Sequence, residues 1–328
     1  MKILLAYPTR SSFIARDIKI LASKHVVSEH SYYSLAPADL LRGFLAVKSC
    51  DLLYLWFASI RALPLVLFAR MLGKPVITVV GGYEAANCPE ISYGNARNWR
   101  QRIPTRWILG LSQLILAVSR ASSEAIIKNL KVAPQKVHLL YHGFEDFARD
   151  DNSVKTPVIL TVGRADSSGW IRKGIREFFL AAEQMPEHSF VYVGGVDIDI
   201  PEILGRPMAP NITLVGAVPF ETIGDYYGVA KVYLQASHHE SFGCSVAEAM
   251  LYRCIPVVRD AYALPEVVGN TGVTFSGDSI AAVVQALTTA LKLDAGEGER
   301  ARLRVLNEFS YEKRESALLA LIEKMSST

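Results

Sequence analysis

Two glutamates separated by seven residues, Glu240 and Glu248, are the side chains whose type and spacing first suggest chemistry in this sequence. An apolar run that predicts a strand precedes them, and a polar loop containing Gly243 leads into good helix formers over residues 244–252. The N–H groups and the dipole at such a helix start attract phosphate. A carboxylate near the helix start can accept hydrogen bonds from two vicinal hydroxyls, and a carboxylate on the loop can reach a sugar ring beside a diphosphate. The bare pair favours a plainer interpretation, a helix-start acid and a surface acid, so the surrounding residues must decide.

The sequence around this pair resembles the retaining glycosyltransferases of family 4, whose signature is an E-x7-E motif within a strand, a loop and a helix. The matching positions are Ser237, Glu240, Phe242, Gly243, Glu248, Ala249, Met250, Pro256 and Val257. The resemblance implies that Glu240 holds the transferred sugar and that Glu248 holds the ribose hydroxyls of a nucleotide diphosphate sugar. It also implies that sugar and phosphate oxygens are bound by the backbone amides of Ser241, Phe242, Gly243 and Cys244.

A second block reads Leu-Thr-Val-Gly-Arg, is followed by Lys-Gly, and resembles the family's element after the first strand of the donor domain. The resemblance makes Gly163 part of the donor site and makes Arg164 and Lys173 the clamp on the diphosphate. Departure of a nucleoside diphosphate develops negative charge, which fixed cations stabilise without a metal. Ordinary surface salt bridging is the alternative for both cations, and Arg172 is a second candidate for the role of Lys173.

The resemblance also places the loop that ends at Val218 near the nucleotide base, although a plain strand-to-helix turn explains the same residues. Asp197 and Asp199 have the spacing of a metal-binding Asp-x-Asp element, but they follow the end of a predicted strand and we interpret them as loop acids. The histidine pair at 238–239 lacks the further ligands of a zinc site. We therefore predict no metal and no cofactor, and the nucleotide diphosphate sugar is a substrate.

The N-terminal half departs from the family pattern at two places. Residues 8–12 replace a glycine-rich loop that faces the donor phosphates, and residues 81–84 replace a segment that often carries a histidine. Ser11, with its neighbours Arg10 and Ser12, is a candidate phosphate contact, and a helix cap at Ser11 is the alternative.

Three further residues are candidates for the acceptor side. Gly82 and Glu84 belong to the second replaced segment, and Glu84 would orient an acceptor hydroxyl unless it is a surface acid. His142 is the third candidate, although a loop histidine with a local hydrogen bond is the more typical interpretation.

The elements that must position these residues follow from short apolar runs that predict buried parallel strands, each followed by a helical pattern or a loop. In the first half the predicted strands cover residues 3–6, 52–57, 76–80 and 114–118. In the second half they cover residues 158–162, 189–193, 212–215, 232–235 and 255–258. This alternation predicts an α/β protein with two Rossmann-like domains.

We predict an N-terminal acceptor-side domain over residues 1–150 and a C-terminal nucleotide-sugar donor domain over residues 151–310. The boundary falls in a polar stretch that ends in a proline before a strand. An amphipathic pattern predicts a last helix within residues 311–328, which we expect to pack back on the N-terminal domain. The resemblance implies the GT-B fold, in which two parallel sheets face each other across a cleft.

Composition limits the function classes. Half of the residues are apolar and a fifth are charged, which excludes a disordered chain. The net charge of +3 divides unevenly, since residues 1–150 carry 19 Lys and Arg against 10 Asp and Glu, while the remainder carries 16 against 22. A basic first half favours an anionic partner, such as a phosphorylated acceptor or a membrane surface, about as much as it favours scattered solvating charge. We predict no nucleic-acid partner.

Four cysteines without a C-x-x-C pair, and an N-terminus without a signal-peptide pattern, predict a cytoplasmic location. The most apolar stretch, residues 52–72, is interrupted by charges and a proline, so we expect no transmembrane helix. Basic residues mixed with tryptophan over residues 95–107 suit a membrane surface or an acceptor phosphate, or else form an exposed basic helix. Peripheral contact of the N-terminal domain with the inner face of the membrane is a further hypothesis.

The resemblance thus predicts a retaining hexosyltransferase that moves a hexose-like sugar from a UDP-, GDP- or ADP-sugar to a hydroxyl of a carbohydrate or lipid-linked acceptor, in cell-envelope, glycolipid or polysaccharide synthesis. A nucleotide-sugar epimerase or a phosphorylase of the same fold is one alternative, and a non-catalytic sugar-nucleotide binding protein is another. No G-x-G-x-x-G follows a first strand, which argues against a dehydrogenase.

Overall fold

The computed structural model describes residues 1–148 and 153–326, with the backbone alone for residue 326. The chain divides into two compact units. The N-terminal unit comprises Met1–Gly143 and the described residues from Tyr311 onward, and the C-terminal unit runs from Phe144 to Ser310. The predicted boundary between residues 150 and 151 lies outside the described residues.

The N-terminal unit alternates strands with helices. In chain order its first elements are β1 (Lys2–Tyr7), α1 (Ser12–Ala22), β2 (Val26–Ser31), α2 (Pro37–Ser49), β3 (Leu52–Trp56), α3 (Leu63–Met71), β4 (Val76–Val80), α4 (Trp99–Leu111), β5 (Leu114–Ala117), α5 (Arg120–Leu130) and β6 (Val137–Leu139). The six strands form one parallel sheet in the order β2-β1-β3-β4-β5-β6.

The C-terminal unit repeats this scheme. Its elements are β7 (Thr156–Val162), α6 (Gly169–Arg172), α7 (Ile175–Gln184), β8 (Phe190–Val193), α8 (Ile200–Leu204), β9 (Ile212–Gly216), α9 (Ile223–Val229), β10 (Ala230–Gln235), α10 (Cys244–Leu251), β11 (Ile255–Arg259), α11 (Leu264–Val268), β12 (Val273–Phe275), α12 (Ile280–Lys292) and α13 (Ala295–Glu308). Its parallel sheet has the order β12-β11-β10-β7-β8-β9.

The central strands are buried on both faces, as helices on both sides of a parallel sheet require. Every residue of β3, β4 and β11 is buried, which explains why these strands read as continuous apolar runs. The prediction of an α/β protein with two Rossmann-like parallel sheets is therefore confirmed.

The last helix, α14 (Tyr311–Ser326), belongs to the N-terminal unit. Arg314, at 3% exposure, donates hydrogen bonds of 2.7 and 2.9 Å to the two carboxylate oxygens of Asp17. Tyr54 and Trp56 donate to the same carboxylate at 2.8 and 3.0 Å, so the buried acid is fully paired. Among the described helices, none has the length and apolar character that crossing a membrane requires.

Candidate functional site

The loop after β7 carries Gly163 and the first predicted clamp residue, Arg164. Both lie at the carboxyl end of a parallel strand, where α/β proteins bind ligands. Lys173 follows α6, and its ammonium lies over Gly163, because a Cβ placed on that glycine would be 3.6 Å from Lys173 Nζ. This ammonium makes no ion pair with any residue that the structure describes.

The position after Lys173 requires glycine for a steric reason. Gly174 has a φ of +66°, and a Cβ at this position would overlap the backbone carbonyl of Ala236, just after β10. Only glycine combines this backbone conformation with so close an approach. Gly174 thus lets the turn pack directly on the neighbouring strand and fixes the position of Lys173.

Arg164 is held by a different contact. Its Nε atom donates a hydrogen bond to the carboxylate of Asp197, while 68% of the side chain is exposed. This hydrogen bond and the charge of Asp197 raise the pKa of the guanidinium. The pair orients the guanidinium without burying it.

The two acids with metal-like spacing therefore have other contacts. Asp197 pairs with Arg164, and Asp199 Oδ1 accepts a 3.0 Å hydrogen bond from the N–H of Glu202 and caps α8. Across residues 1–148 and 153–326, no group of three or more His, Cys, Asp and Glu side chains could hold a metal ion.

A buried polar network at the carboxyl end of β10 positions Glu240. Ser237 is fully buried, and its Oγ lies 3.1 Å from both Glu240 Oε1 and the carbonyl oxygen of Lys173. Gln235 Nε2 donates a 2.6 Å hydrogen bond to Ser237, and Ser245, in the first turn of α10, donates a 3.2 Å hydrogen bond to Gln235 Oε1. Through Ser237, the predicted clamp residue and the predicted sugar ligand belong to one hydrogen-bonded unit.

The loop from Glu240 ends at the start of α10. Gly243 is the N-cap residue with a φ of +102°, and no side chain caps this helix. Phe242 is buried and stacks on Phe144, with ring centroids 5.8 Å apart, which anchors the loop in the core of the unit. Ser241 and Cys244 are half-buried on either side. The positive end of the helix dipole therefore lies at the end of the loop that carries Glu240.

Glu248 lies in the second turn of α10 and lines a cavity of about 270 Å³ within the C-terminal unit. The rest of the lining is formed by Phe147, Phe220, Glu221, Ile223, Tyr227 and Tyr252. Tyr227 is 1% exposed, its hydroxyl has no hydrogen-bond partner among the described residues, and burial raises its pKa well above the usual value. Val218, the predicted base contact, lies two residues before Phe220. The cavity combines aromatic rings, the carboxylates of Glu221 and Glu248, and a hydroxyl without a hydrogen-bond partner among the described residues.

In the N-terminal unit, Ser11 is the N-cap residue of α1, but its side chain does not cap the helix. Its Oγ atom is buried and has no hydrogen-bond partner within the described chain. Arg10 lies 3.7 Å from Glu29, and Ser12 is exposed. Of the described polar atoms of these three candidates, Ser11 Oγ is the buried one that lacks a hydrogen-bond partner.

Glu84 follows β4 and is only 3% exposed, so the alternative of a surface acid is wrong. Its Oε1 accepts hydrogen bonds from the N–H groups of Ala58 at 3.1 Å and Gly81 at 3.3 Å. Its Oε2 is buried and has no partner among the described residues, and burial raises the pKa of the carboxyl group. Gly82, with a φ of +113°, makes the turn that brings Glu84 back over the end of the strand.

His142 is packed against aromatic rings. It is 7% exposed and stacks on Trp56, with ring centroids 6.1 Å apart and planes 7° apart, and Phe13 lies 5.4 Å away. Burial, and then the charges of Arg314 and Arg16, hold the pKa of His142 well below its usual value. These contacts favour a structural role for a neutral imidazole.

Residues 156–292 match the family model described as glycosyl transferases group 1. No curated protein sequence matches the chain. Solved structures match at full length, among them HepE of Anabaena in complex with UDP and glucose, with a TM-score of 0.76, 16% identity and 100% of both chains covered. A glycosyltransferase from Rickettsia africae matches with a TM-score of 0.75, 17% identity and 98% of both chains covered. Sucrose-phosphate synthase from Thermosynechococcus elongatus matches with a TM-score of 0.77, 16% identity and 99% of both chains covered.

This chain has the GT-B glycosyltransferase fold. Within the GT-B chain, the group 1 match runs from the start of β7 to the end of α12 and contains every donor-side residue predicted from the sequence. The acceptor-side candidates Ser11, Gly82, Glu84 and His142 lie outside that match.

Two features of this GT-B chain were not predicted from the sequence. The pairing of Arg164 with Asp197 joins two loops 33 residues apart, and no local pattern marks it. Tyr227 and Tyr252 line one cavity with Glu248 because Tyr252, directly after α10, stacks on Tyr227 of α9. The one sequence signal for this contact is the pair of tyrosines at 226–227. One feature of the sequence indicates that Glu84 is unusual: this acid follows two glycines and a tyrosine directly after an apolar strand.

Proposed function

We propose that this protein is a retaining glycosyltransferase that moves a hexose-like sugar from a UDP-, GDP- or ADP-sugar to an acceptor hydroxyl and needs no metal. The observation that carries the proposal is the Lys173–Ser237–Glu240 hydrogen-bonded unit. It joins the backbone of Lys173, whose ammonium lies over Gly163 at the carboxyl end of β7, to the loop after the adjacent strand β10 that carries Glu240. A diphosphate and its sugar need such groups. The group 1 match, and the fact that HepE was crystallised with UDP and with UDP-glucose, support this donor class.

In the proposed reaction, the bond between the anomeric carbon and the diphosphate oxygen breaks, an acceptor oxygen bonds to the same face of that carbon, and the proton of the acceptor hydroxyl passes to the departing diphosphate. Lys173 and Arg164 stabilise the charge that develops on the leaving diphosphate, which is the largest electrostatic requirement of the step. Glu240 accepts hydrogen bonds from the sugar hydroxyls. Glu248 accepts those of the ribose, and the base packs on the aromatic lining of the cavity beside Glu248.

The donor class is tested by thermal-shift and calorimetric titrations of UDP, GDP, ADP and their sugars against the wild type and Glu248→Gln. We expect one nucleotide to stabilise the wild type and to bind about tenfold more weakly to the variant, because a hydrogen bond to a charged group is lost. Glu183→Gln, which removes a surface acid of the same unit, is the matched control. If no nucleotide binds the wild type, the proposal fails.

The alternatives differ in their products, which NMR of a reaction with isotope-labelled donor identifies. A glycoside with the anomeric configuration of the donor supports the transferase. An epimerised nucleotide sugar would support the epimerase, and a sugar 1-phosphate would support the phosphorylase. Nucleotide-sugar binding without any product across a broad acceptor screen would support the binding protein.

The proposed acceptor is lipid-linked, because α4 has an apolar outer face flanked by arginines. Trp99, Ile103 and Trp107 recur every four residues and are 61%, 38% and 60% exposed. Arg102 and Arg106 lie beside this stripe, and α4 contains no acidic residue. Tryptophan and arginine on one helix face are typical of peripheral contact with an anionic membrane.

Flotation with vesicles tests the membrane contact. We expect the wild type to float with vesicles of anionic phospholipid more than with neutral ones, and the double variant Trp99→Ser, Trp107→Ser to lose this binding. Leu303→Ser, at an exposed apolar residue of the C-terminal unit, should float like the wild type. Equal flotation with both vesicle types would contradict the membrane proposal.

The proposed location is the cytoplasm. All four cysteines are free thiols and three of them are buried, which fits a reducing compartment. A peripheral protein at the inner face of the membrane agrees with both the free thiols and the basic helix.

A further inference from the structure

The N-terminal unit contains a cavity that the donor chemistry does not use. The cavity measures about 290 Å³ and lies at the carboxyl ends of β3 and β4. Phe57, the first residue after β3, and Glu84, after β4, line it together with Arg100 and Gln101 from the first turn of α4. Ligands of open parallel sheets bind at this end of the strands.

An unusual backbone conformation positions the aromatic ring of Phe57 in the lining of this cavity. Phe57 has a φ of +70°, a conformation that non-glycine residues rarely adopt and that is found at ligand sites. A Cβ on Gly81 would overlap the Phe57 ring, so the glycine makes room for that ring beside the cavity. Tyr83 adds a second ring and is 44% exposed. Such rings provide apolar faces for a ligand with an apolar side of its own.

Glu84 contributes an oxygen that the protein leaves unused. Oε1 is occupied by the N–H groups of Ala58 and Gly81, whereas Oε2 is buried without a partner in the described part of the chain. A buried polar atom without a hydrogen bond is unfavourable and calls for an explanation. A ligand hydroxyl in the cavity would supply the missing donor.

Arg100 lines the same cavity, yet it forms no ion pair with Glu84 or with any other described carboxylate. Its backbone N–H is bonded to Asn98, and its guanidinium lies over the Trp99 ring at 5.5 Å. A ligand that carries both an anionic group and a hydroxyl can therefore satisfy Arg100 and Glu84 together.

We propose that this cavity is the acceptor subsite and that it takes an anionic pyranose, meaning a sugar ring that carries a phosphate or a carboxylate. A hydroxyl of the ring donates to Glu84 Oε2, the anion pairs with Arg100, and the ring packs on Phe57. Arg100 belongs to the same helix as the exposed stripe of Trp99, Ile103 and Trp107, which suits a sugar linked to lipid. The inference rests on the proposed glycosyltransferase function.

Binding of three probes tests the subsite without any turnover. Because burial raises the pKa of Glu84, we would titrate α-glucose 1-phosphate, glucuronate and methyl α-glucoside by saturation-transfer NMR at an alkaline pH of about 8, with UDP saturating the donor site. The two anionic sugars should bind about tenfold or more tightly than the neutral glucoside. Preference for the phosphate or for the carboxylate then identifies which anion the acceptor carries.

Two substitutions separate the role of Glu84 from that of Arg100. Glu84→Gln keeps an oxygen for the N–H groups of Ala58 and Gly81 but replaces Oε2 by an NH₂ group that cannot accept, so all three probes should bind about tenfold more weakly. Arg100→Gln should abolish the preference for the anionic sugars and leave binding of the neutral glucoside unchanged. Arg70→Gln makes the same charge change on an exposed residue outside the cavity, and this variant should bind all three probes like the wild type.

The subsite is overturned if no probe binds, if the neutral glucoside binds as tightly as the anions, or if Glu84→Gln and Arg100→Gln bind like the wild type. UDP binding in the same samples is the separate readout for the proposed function. If the wild type binds UDP but none of the three probes, the subsite alone is defeated, whereas a wild type that binds no UDP defeats the donor assignment.

Discussion

Ser237 links the residues on which the proposed chemistry depends, because one hydroxyl lies between the carbonyl of Lys173 and the carboxylate of Glu240. We predict that Ser237→Ala lowers kcat/KM by about tenfold or more, since Glu240 loses the contact that orients it. The Kd of UDP should change little, because the packing of Gly174 on Ala236 still fixes Lys173, and Glu248 and the cavity beside it are untouched. Steady-state kinetics and UDP titration on the same preparation measure both quantities.

Ser245→Ala is the matched control for this prediction. It removes another hydroxyl of the same network, one that bonds to Gln235 and not to Glu240. Equal losses of kcat/KM in the two variants would mean that the network acts only by supporting the fold.

Arg164 is a residue whose removal should separate activity from stability. Its side chain is 68% exposed and its one partner among the described residues is Asp197, so Arg164→Ala should leave Tm nearly unchanged. The expected fall in kcat is about a hundredfold, the usual loss when one fixed charge-stabilising group is removed. Near wild-type kinetics would exclude Arg164 from the clamp, and Arg206→Ala, at another exposed arginine with an acidic partner, is the control.

His239 makes the stability of the C-terminal unit depend on pH. Burial, and then the charge of Arg172, lower the pKa of His239 to about 4. Because the unfolded chain binds a proton below about pH 6.5 and the native state does not, the free energy of unfolding should fall as pH drops from 6.5 to 4, by roughly 3 kcal/mol in total. Urea unfolding at several pH values in this window should show a shallower slope for His239→Asn. An unchanged slope would contradict the assignment.

At the scale of elements, the turn between α6 and α7 depends on glycine. Gly174 combines a φ of +66° with an approach to Ala236 that leaves no room for a Cβ, whereas Gly205 has a φ of +67° and nothing within 4 Å. Gly205→Ala should therefore cost only the backbone strain, about 1–2 kcal/mol. Gly174→Ala should cost clearly more and should weaken UDP binding, because Lys173 moves. Urea unfolding and UDP titration of both variants check this, and equal costs would contradict it.

Most of the strands, but not all of them, could be predicted from the sequence. The predicted central strands are present because strands buried on both faces must be apolar along their whole length. Three strands were not predicted: β2, β6 and β12. β2 reads Val-Val-Ser-Glu-His-Ser and has little buried surface at the edge of its sheet, and β6 and β12 have three residues each. Such strands are defined by pairing with a neighbour, which a local pattern does not contain.

Part of the candidate site could likewise be predicted from the sequence, and part could not. The residues of the Glu240–Glu248 segment could be predicted because loop, helix start and both acids are contiguous in sequence. The contacts that support this segment could not be predicted, because they join elements that are distant in sequence. Gly174 contacts Ala236, and Tyr227 contacts Tyr252, only through tertiary packing. The sequence left open whether Glu84 is buried or exposed, because its burial depends on how the ends of β3 and β4 close over it.

At the scale of the whole molecule, the chain leaves the N-terminal unit at Gly143, forms the C-terminal unit and contributes its last helix to the first unit again. The N-terminal unit is therefore built from two segments that are separated in sequence by the C-terminal unit. Asp17, in α1, and Arg314, in α14, are 297 residues apart and form its buried ion pair. Removing one partner of such a pair leaves an uncompensated buried charge, which costs about 3–5 kcal/mol.

We therefore predict that Arg314→Leu destabilises the N-terminal unit by about 3–5 kcal/mol, and that the double variant Asp17→Asn, Arg314→Leu recovers part of this loss, because an amide is less costly to bury than an unpaired carboxylate. Hydrogen exchange should show faster exchange in β3, which holds Tyr54 and Trp56 against Asp17, while β10 serves as an internal reference in the C-terminal unit. If the double variant is no more stable than Arg314→Leu alone, the unpaired charge is not the cause, and the loss must come instead from the hydrogen bonds that Arg314 donates to the carbonyl oxygens of Leu140 and Tyr141.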